Sequence, residues 1–210
     1  MNYGDIKSHF DALLNRSDIT AALTTLFVDQ SIARIQRQLR IPINENKTTY
    51  TISGQTAFIT LPTDFLEIIS LYHGGVELNR VPNSKMRGYA NNPVAGTPLV
   101  FTREQQKLLL HPQPSSGDLI LYYYGEFAPM VANSDENDLA KVAPDLIIYG
   151  ALGYAADYYL DERRDIFEAK FVQFITELQE QANDQELHGG TQAIQPSVTY
   201  TDYQSTPSVQ

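Results

Sequence analysis

Apolar residues recur with a helical period at both ends of the chain and with a strand period in its middle. The longest helical stretch, residues 142–186, predicts two packed helices. Residues 144–160 are apolar on nearly every side, which is typical of a helix buried inside the protein. From residue 165 onward the apolar positions narrow to one stripe with acidic residues opposite. That pattern predicts a second helix with one solvent-facing side.

Local chemistry supports the same two helices. Pro144 suits a first helical position, because its missing N–H would have no helical partner there, and residues 161–164 form the predicted break between the helices. Gly150 and Gly153 each cost roughly 1 kcal/mol relative to alanine inside a helix. We therefore expect them to let a neighbouring backbone come close. Internal helix packing is the favoured interpretation, and a subunit contact is the alternative.

The N-terminal region predicts two more helices. Residues 5–14 form a short amphipathic pattern, and the polar residues 15–18 are able to cap a longer helix that runs to Arg40 and ends before Pro42. The apolar side of this longer helix consists of Leu23, Leu26, Phe27, Ile32, Ile35 and Leu39. The predicted helical core of the protein is Phe27, Ile35, Leu146, Tyr149, Leu152, Phe167, Phe171 and Phe174.

Between the helical regions the period changes from 3.6 to 2 residues. Short runs rich in β-branched, leucine and aromatic residues predict strands at residues 48–52, 57–61, 67–72, 76–81, 99–102, 107–111 and 119–124. Gly74 and Gly75 form a good two-residue hairpin turn, because glycine adopts positive φ without steric cost. Residues 83–92 are expected to hold a helical turn. The strands predict a small antiparallel β-barrel or sandwich.

The predicted fold class is therefore α+β. Residues 1–46 and 127–186 are expected to form an antiparallel helical bundle into which a β-domain, residues 47–126, is inserted. Residues 187–210 are rich in Gln, Ser, Thr and Gly and cannot bury enough apolar area to order themselves. We predict an extended C-terminal tail that needs a partner.

Composition excludes several classes of function. The 210 residues include no cysteine, so disulfide and thiolate chemistry are absent. There is no 18-residue uncharged apolar run and no N-terminal signal pattern, which predicts a soluble protein. The net charge of −10 is uneven, with ten acids against three bases in residues 144–186. Such a balance argues against a domain that grips nucleic-acid phosphates.

Candidate site chemistry is sparse. His9, His73, His111 and His188 are scattered and lack metal-ligand spacing, so they are expected to be surface or strand-end residues. Residues 135–138 lack the ligand order of a calcium loop and predict a turn with a helix cap. The acids and bases of residues 161–164 are expected to neutralise one another at a solvated turn. Neither a metal, nor a cofactor, nor an enzymatic activity is predicted.

Several segments of the chain form a recognisable series. They are Tyr3-Gly4-Asp5-Ile6, Leu14-Asn15-Arg16-Ser17-Asp18-Ile19-Thr20, Ala33-Arg34-Ile35-x-Arg37-x-Leu39-Arg40, Leu61-Pro62-x-Asp64-Phe65-Leu66-Glu67-Ile68 and Ala143-Pro144-Asp145-Leu146-x-x-Tyr149-Gly150-Ala151-Leu152. In their order and spacing they resemble the head-to-tail adaptor, or connector, proteins of tailed bacteriophages, and the resemblance runs over residues 3–178.

The resemblance implies a structural protein of the virion, assembled in the host cytoplasm. Such adaptors form a ring, usually of twelve copies, below the portal protein, with helices around the ring and DNA passing through its lumen. The C-terminal segment docks into the portal, and the lower side receives a tail nozzle or another neck protein. In this chain the tail alternates in a way that suits an extended strand added to a partner. The expected docking residues are Pro196, Val198, Thr199, Tyr200, Thr201 and Tyr203.

A different class of function remains open. Tyr122, Tyr123 and Tyr124 are able to stack on bases or sugars. Strand alternation places two of these rings on one sheet face and one on the other. The alternative interpretation is therefore a carbohydrate- or peptide-binding β-module on a helical stalk. A cyclic oligomer with a narrow lumen favours the adaptor, and a monomer with a groove of exposed aromatic rings favours the binding module.

Overall fold

The computed structural model describes residues 1–90 and 93–187, which form six α-helices and eight β-strands. The helices are α1 (Tyr3–Leu14), α2 (Ala21–Gln38), α3 (Asn83–Ala90), α4 (Asp138–Val142), α5 (Pro144–Tyr158) and α6 (Arg164–Leu187). The strands are β1 (Glu45–Ile52), β2 (Phe58–Thr60), β3 (Phe65–His73), β4 (Val76–Glu77), β5 (Asn79–Arg80), β6 (Val100–Glu104), β7 (Lys107–His111) and β8 (Gly117–Gly125). The predicted α+β class is confirmed.

The helix caps agree with the sequence at one boundary and differ at another. Asn137 accepts a hydrogen bond from the Ala140 N–H at 2.8 Å and caps α4, which confirms the predicted turn and cap at residues 135–138. The cap of α2 is Thr20, not a residue of 15–18. Thr20 directly precedes α2, and its hydroxyl accepts a hydrogen bond from the Leu23 N–H at 3.3 Å, whereas the Asp18 carboxylate pairs with Arg16 at 2.7 Å.

The strands of the described chain form two four-stranded sheets, in the orders β1-β8-β3-β4 and β2-β7-β6-β5. The expectation of a barrel is wrong, since β1 and β4 are the edges of one sheet and β2 and β5 are the edges of the other. The expectation of purely antiparallel pairing is also wrong, because β5 runs parallel to β6. A parallel pair requires a crossover connection, which α3 and the residues after it provide.

The predicted strand at residues 76–81 is two strands. Gly74 and Gly75 adopt φ of 57° and 81° and turn the chain from β3 into β4, which confirms the predicted hairpin. The buried side chain of Leu78 then separates β4 from β5. Because β4 pairs with β3 and β5 pairs with β6, this segment passes from one sheet to the other.

Buried side chains of the described residues fall into a helical cluster and a β cluster. Of the predicted helical core, Phe27, Ile35, Leu146, Leu152, Phe167 and Phe171 are buried, whereas Tyr149 and Phe174 are partly buried against them. The expectation that α5 is apolar on all sides up to residue 160 is wrong at its end. Tyr158 and Leu160 are exposed there.

The centre of the helical cluster is Gly150 on α5. A Cβ at this position would lie 2.2 Å from the Ser31 Oγ of α2 and 3.0 Å from the Phe171 ring of α6. Ser31 also donates a buried hydrogen bond of 2.8 Å to the Ile147 carbonyl. The close approach at Gly150 therefore occurs within the chain, but two side chains come close there and not the predicted neighbouring backbone. Gly153 shows no close approach, since the nearest atom to its Cβ position would be the Glu168 Oε2 at 3.4 Å.

Phe171 tests the packing of this core. Phe171→Ala removes a fully buried ring beside Gly150, and we expect the free energy of unfolding to fall by roughly 3–5 kcal/mol. The matched control is Val172→Ala, whose side chain is half exposed and should change stability by less than about 0.5 kcal/mol. Denaturant unfolding measures both variants. Equal effects of the two substitutions would contradict this packing.

Gly150 tests the close approach itself. Gly150→Ala places a methyl group against Ser31 and Phe171, and we expect a destabilisation of about 1–3 kcal/mol from overpacking. Gly153→Ala is the control, because its Cβ would meet only the Glu168 Oε2, at 3.4 Å. That substitution should stabilise the helix by up to about 1 kcal/mol. A neutral Gly150→Ala measured by thermal unfolding would contradict the predicted crowding.

Candidate functional site

The described residues contain no arrangement typical of a metal or catalytic centre. In residues 1–90 and 93–187, no group of three or more His, Cys, Asp or Glu side chains is placed to hold a metal ion. The His73 Nε2 lies 3.0 Å from the Ser116 carbonyl, and the His111 ring stacks on Tyr89 with centroids 4.3 Å apart. His9 is exposed on α1, and His188 lies outside the described residues.

The tyrosines of β8 are divided between the two faces of their sheet. Tyr123 is buried, and its hydroxyl donates to the Asp64 carboxylate at 3.1 Å. Burial raises the pKa of Tyr123, and the hydrogen bond to Asp64 raises it further. Tyr122 is exposed and meets the Tyr72 ring edge-on, with centroids 5.9 Å apart. These two rings, with Ile69 and Ile120, line a shallow groove of about 420 Å³ on the outer face of the sheet.

A cleft lies where the chain passes between the helices and the strands. It has a volume of about 580 Å³ and is lined on one side by Ile43, Asn44 and Asn46 and on the other by residues 126–129. Asp64 and Asp138 contribute carboxylates to its wall. The Asn44 side chain is only 4% exposed, and its amide N and O have no hydrogen-bond partner among the described groups. The cleft is polar and offers neither a nucleophile with a base nor a phosphate-binding loop.

The turn between α5 and α6 is held by charged side chains. Arg163 donates to the Asp161 carboxylate at 2.7 Å and to the Leu14 carbonyl at 3.0 Å, so it ties the turn to the end of α1. The Arg16 guanidinium lies 4.1 Å from the centre of the Tyr159 ring. The hydrogen bonds from Arg163 lower the pKa of Asp161 to about 2. Asp161 and Arg163 neutralise each other as predicted, whereas Arg164 pairs with Asp157 of α5 at 3.1 Å instead of with a residue of the turn. The Asp161 side chain is only 12% exposed, so it is more buried than the predicted solvated turn implies.

A second ion pair joins two helices across the core. Arg34 of α2 donates to both carboxylate oxygens of Glu168 on α6, with one bond of 2.9 Å, and its guanidinium lies 4.0 Å from the Phe171 ring. This pair lowers the pKa of Glu168 and raises that of Arg34. Sequence reasoning placed Glu168 on a solvent-facing side, because the spacing of one helix does not show which residue of another helix faces it.

Two further expectations concern regions beyond the core. The predicted docking residues of the tail, from Pro196 to Tyr203, lie outside the described residues. Among the described helices, none combines the length and the hydropathy needed to cross a membrane.

Comparison with known proteins then gives the family. A family model described as SU10 adaptor protein matches residues 1–195. The chain belongs to the SU10 adaptor protein family. None of the curated proteins compared with it matches. The resemblance inferred from the sequence segments is confirmed, and the match reaches beyond them at the C-terminal side.

The protein is therefore a bacteriophage head-to-tail adaptor, which is a structural protein of the virion. Family membership implies contacts with portal and tail proteins, so its functional residues lie on binding surfaces. Sequence reasoning missed two features, the buried Asn44 amide that has no hydrogen-bond partner among the described groups and the exposed Leu160 side chain. No sequence pattern around Asn44 predicts that its side chain is buried without a partner. The position of Leu160 is a weak sign of exposure, because the apolar residue directly before a charged break lies at the end of a helix, where side chains are often exposed.

The Asp161 carboxylate allows a test by pH. Since its pKa is lower in the folded protein than its ordinary value of 3.8, its stabilising effect is full above about pH 4. The effect is lost as pH falls towards about 2. Asp161→Asn should therefore lower the thermal midpoint at pH 7, and the difference from the unsubstituted adaptor should shrink between pH 4 and pH 2.

The control for this experiment is Glu162→Gln, which removes the same charge from an exposed neighbouring side chain. Thermal midpoints of both variants are measured at intervals between pH 7 and pH 2. We expect a pH-dependent loss for Asp161→Asn only. The same profile for both variants would show that net charge, and not the bonds to Arg163, controls the effect.

Proposed function

We propose that the adaptor forms a closed ring of twelve copies beneath the portal protein. The ring extends the DNA channel and joins it to a tail nozzle or another neck protein. The observation that carries this proposal is the SU10 adaptor match over residues 1–195. Electron-microscopy class averages of the purified adaptor, free and bound to portal particles, test the ring and count its subunits.

The charge of the adaptor supports a channel that DNA crosses without binding. The chain carries a net charge of −10, and ten acids against three bases fall in residues 144–186. Excess negative charge repels nucleic-acid phosphates, whereas a basic surface would bind the phosphates and release their counterions. DNA therefore passes through the proposed lumen without specific contacts.

The C-terminal tail is the proposed docking element for the portal. Between Pro196 and Tyr203 the alternating residues suit a strand added to a sheet edge or laid in a cleft. Val198, Tyr200 and Tyr203 provide the anchors, and backbone hydrogen bonds provide the rest. Each contact is weak because ordering the segment costs conformational entropy, but a ring presents many tails at once and binds through avidity. The alternative destination of the tail is a neighbouring copy of the same chain.

The groove of Tyr72 and Tyr122 favours the second candidate function. The exposed Tyr122 ring and the partly buried Tyr72 ring, beside Ile69 and Ile120, are suited to stacking on a sugar or to covering an apolar peptide side chain. This groove is shallow, and Tyr123 is buried on the opposite face of the strand. A monomeric adaptor that binds oligosaccharides or peptides through Tyr122 would favour this function over the ring.

Deleting residues 190–210 tests the docking proposal. The shortened adaptor should keep its thermal midpoint within a few degrees, because the deleted segment lacks apolar periodicity. It should also lose its attachment to portal particles, as measured by co-sedimentation and by occupancy in electron micrographs.

A full-length variant with Val198→Asp and Tyr200→Asp is the matched comparison, since it keeps the tail and changes only two of the three anchors. It should attach as poorly as the shortened adaptor. Unchanged occupancy of the shortened adaptor would exclude the tail as the docking element. A large fall in its thermal midpoint would show that the tail packs on its own chain.

A further inference from the structure

The backbone of Leu160 adopts a conformation in which glycine is usually found. Leu160 follows the end of α5 with φ of 54°, and the Asp161 N–H bonds back to the Ala156 carbonyl at 2.8 Å. This is the Schellman ending of a helix, in which glycine is the usual residue because a side chain is strained there. Nevertheless the Leu160 side chain is 90% exposed and gains no packing within the described chain. Both the strain and the exposure are unfavourable for an isolated subunit.

The turn holds Leu160 rigidly in this exposed position. Tyr158, also exposed, packs its ring against Phe27 with centroids 5.7 Å apart. On the other side, the bonds of Arg163 to Asp161 and to the end of α1 fix the chain. We call Tyr158 and Leu160 the knob. Exposed apolar residues on a fixed backbone are typical of interface anchors, because little conformational entropy is lost when they bind.

An apolar depression lies at the opposite end of the same helices. It has a volume of about 230 Å³, and we call it the socket. Its apolar lining is Ile41, Pro42, Ile43, Val142, Leu178 and Ala182. Val142 is 51% exposed at its rim and lies just before α5, whereas Leu160 lies just after α5. A helix of 15 residues is roughly 22 Å long, so knob and socket are far apart in one subunit.

We propose that the knob of one adaptor subunit inserts into the socket of the next. A convex and a concave apolar surface at opposite ends of one chain define a head-to-tail contact. Repeated contacts of that kind form a ring when the rotation between neighbours closes, and an open filament when it does not. A single contact covers both exposed surfaces on every copy, whereas a portal or tail partner would cover only one of them. The inference rests on the ring proposed above and identifies the residues that join its subunits.

Two ion pairs beside this contact keep their partners within each subunit. Asp157 pairs with Arg164 at 3.1 Å beside the knob, and Asp138 pairs with Lys141 at 3.0 Å near the socket. These charges are already neutralised within the subunit, so bringing the two surfaces together does not leave them without partners.

Cysteine cross-linking tests the contact directly, because the full chain contains no cysteine. Leu160→Cys with Val142→Cys should give a ladder of disulfide-linked dimers, trimers and larger species under oxidation, which a thiol reductant removes. A bond within one subunit is excluded because the Cα atoms of a disulfide lie within about 7 Å of each other. The matched control combines Leu160→Cys with Val172→Cys, since Val172 is 50% exposed on α6 and outside the socket. Oxidation of this control variant should give disulfide-linked dimers but no larger species.

Leu160→Gly separates binding from folding. Glycine relieves the strained φ, so the thermal midpoint should be unchanged or higher. The concentration needed for self-association, measured by sedimentation, should rise at least about tenfold. Val142→Asp should weaken self-association from the socket side. Unchanged self-association of Leu160→Gly would overturn the inference, as would a ladder of equal length in the control.

The test also distinguishes this contact from the ring itself. If the unsubstituted adaptor forms rings while the cysteine pair at residues 142 and 160 gives no ladder, the knob and socket are wrong and the ring stands. If the unsubstituted adaptor stays monomeric both free and with portal particles, the proposed ring fails and this contact fails with it.

Discussion

The structure depends on the absence of a side chain at residue 150. Because Gly150 has no Cβ, Ser31 of α2 and Phe171 of α6 both reach the surface of α5 there. The Ser31 hydroxyl donates to a buried carbonyl of α5, and Arg34 joins α2 to α6 above the Phe171 ring. Interiors pack at crystal-like density, so this convergence fixes where all three helices lie. The glycine that weakens α5 locally is therefore what holds the helices together.

The two ends of the packed helices differ in what they carry. Two chain segments join the helices to the strands, residues 43–46 and residues 126–129. Both segments line one cleft, and they meet the helices near the socket. The strands attach there, whereas the turn of residues 159–163 carries no further domain. A rigid turn stabilised by ion pairs can thus display apolar side chains at one end while the other end carries the sheets. This asymmetry suits a subunit that meets different neighbours on different sides.

Sequence reasoning succeeded where the signal is local. Periods of 3.6 and 2 residues located the helices and most strands, Gly74 and Gly75 marked the hairpin, and residues 135–138 marked a cap. It failed where the answer depends on distant residues. The strand sequences do not reveal that β5 pairs in parallel with β6 or that the sheets stay open. The charged break after Leu160 is only a weak sign of its exposure, because exposed apolar residues are common and their type alone does not distinguish a core from a surface.

The two proposed contacts of the adaptor have opposite physical characters. The knob is preorganised, since strain and ion pairs fix Leu160 before any partner arrives, so its contact sets the angle between neighbouring subunits. The tail is predicted to order only on binding, and its weak individual contact gains strength because a ring repeats it. A rigid contact within the ring and an adaptable contact with the portal are complementary. Subunit geometry stays constant while many tails accommodate a partner whose surface need not match the ring at every position.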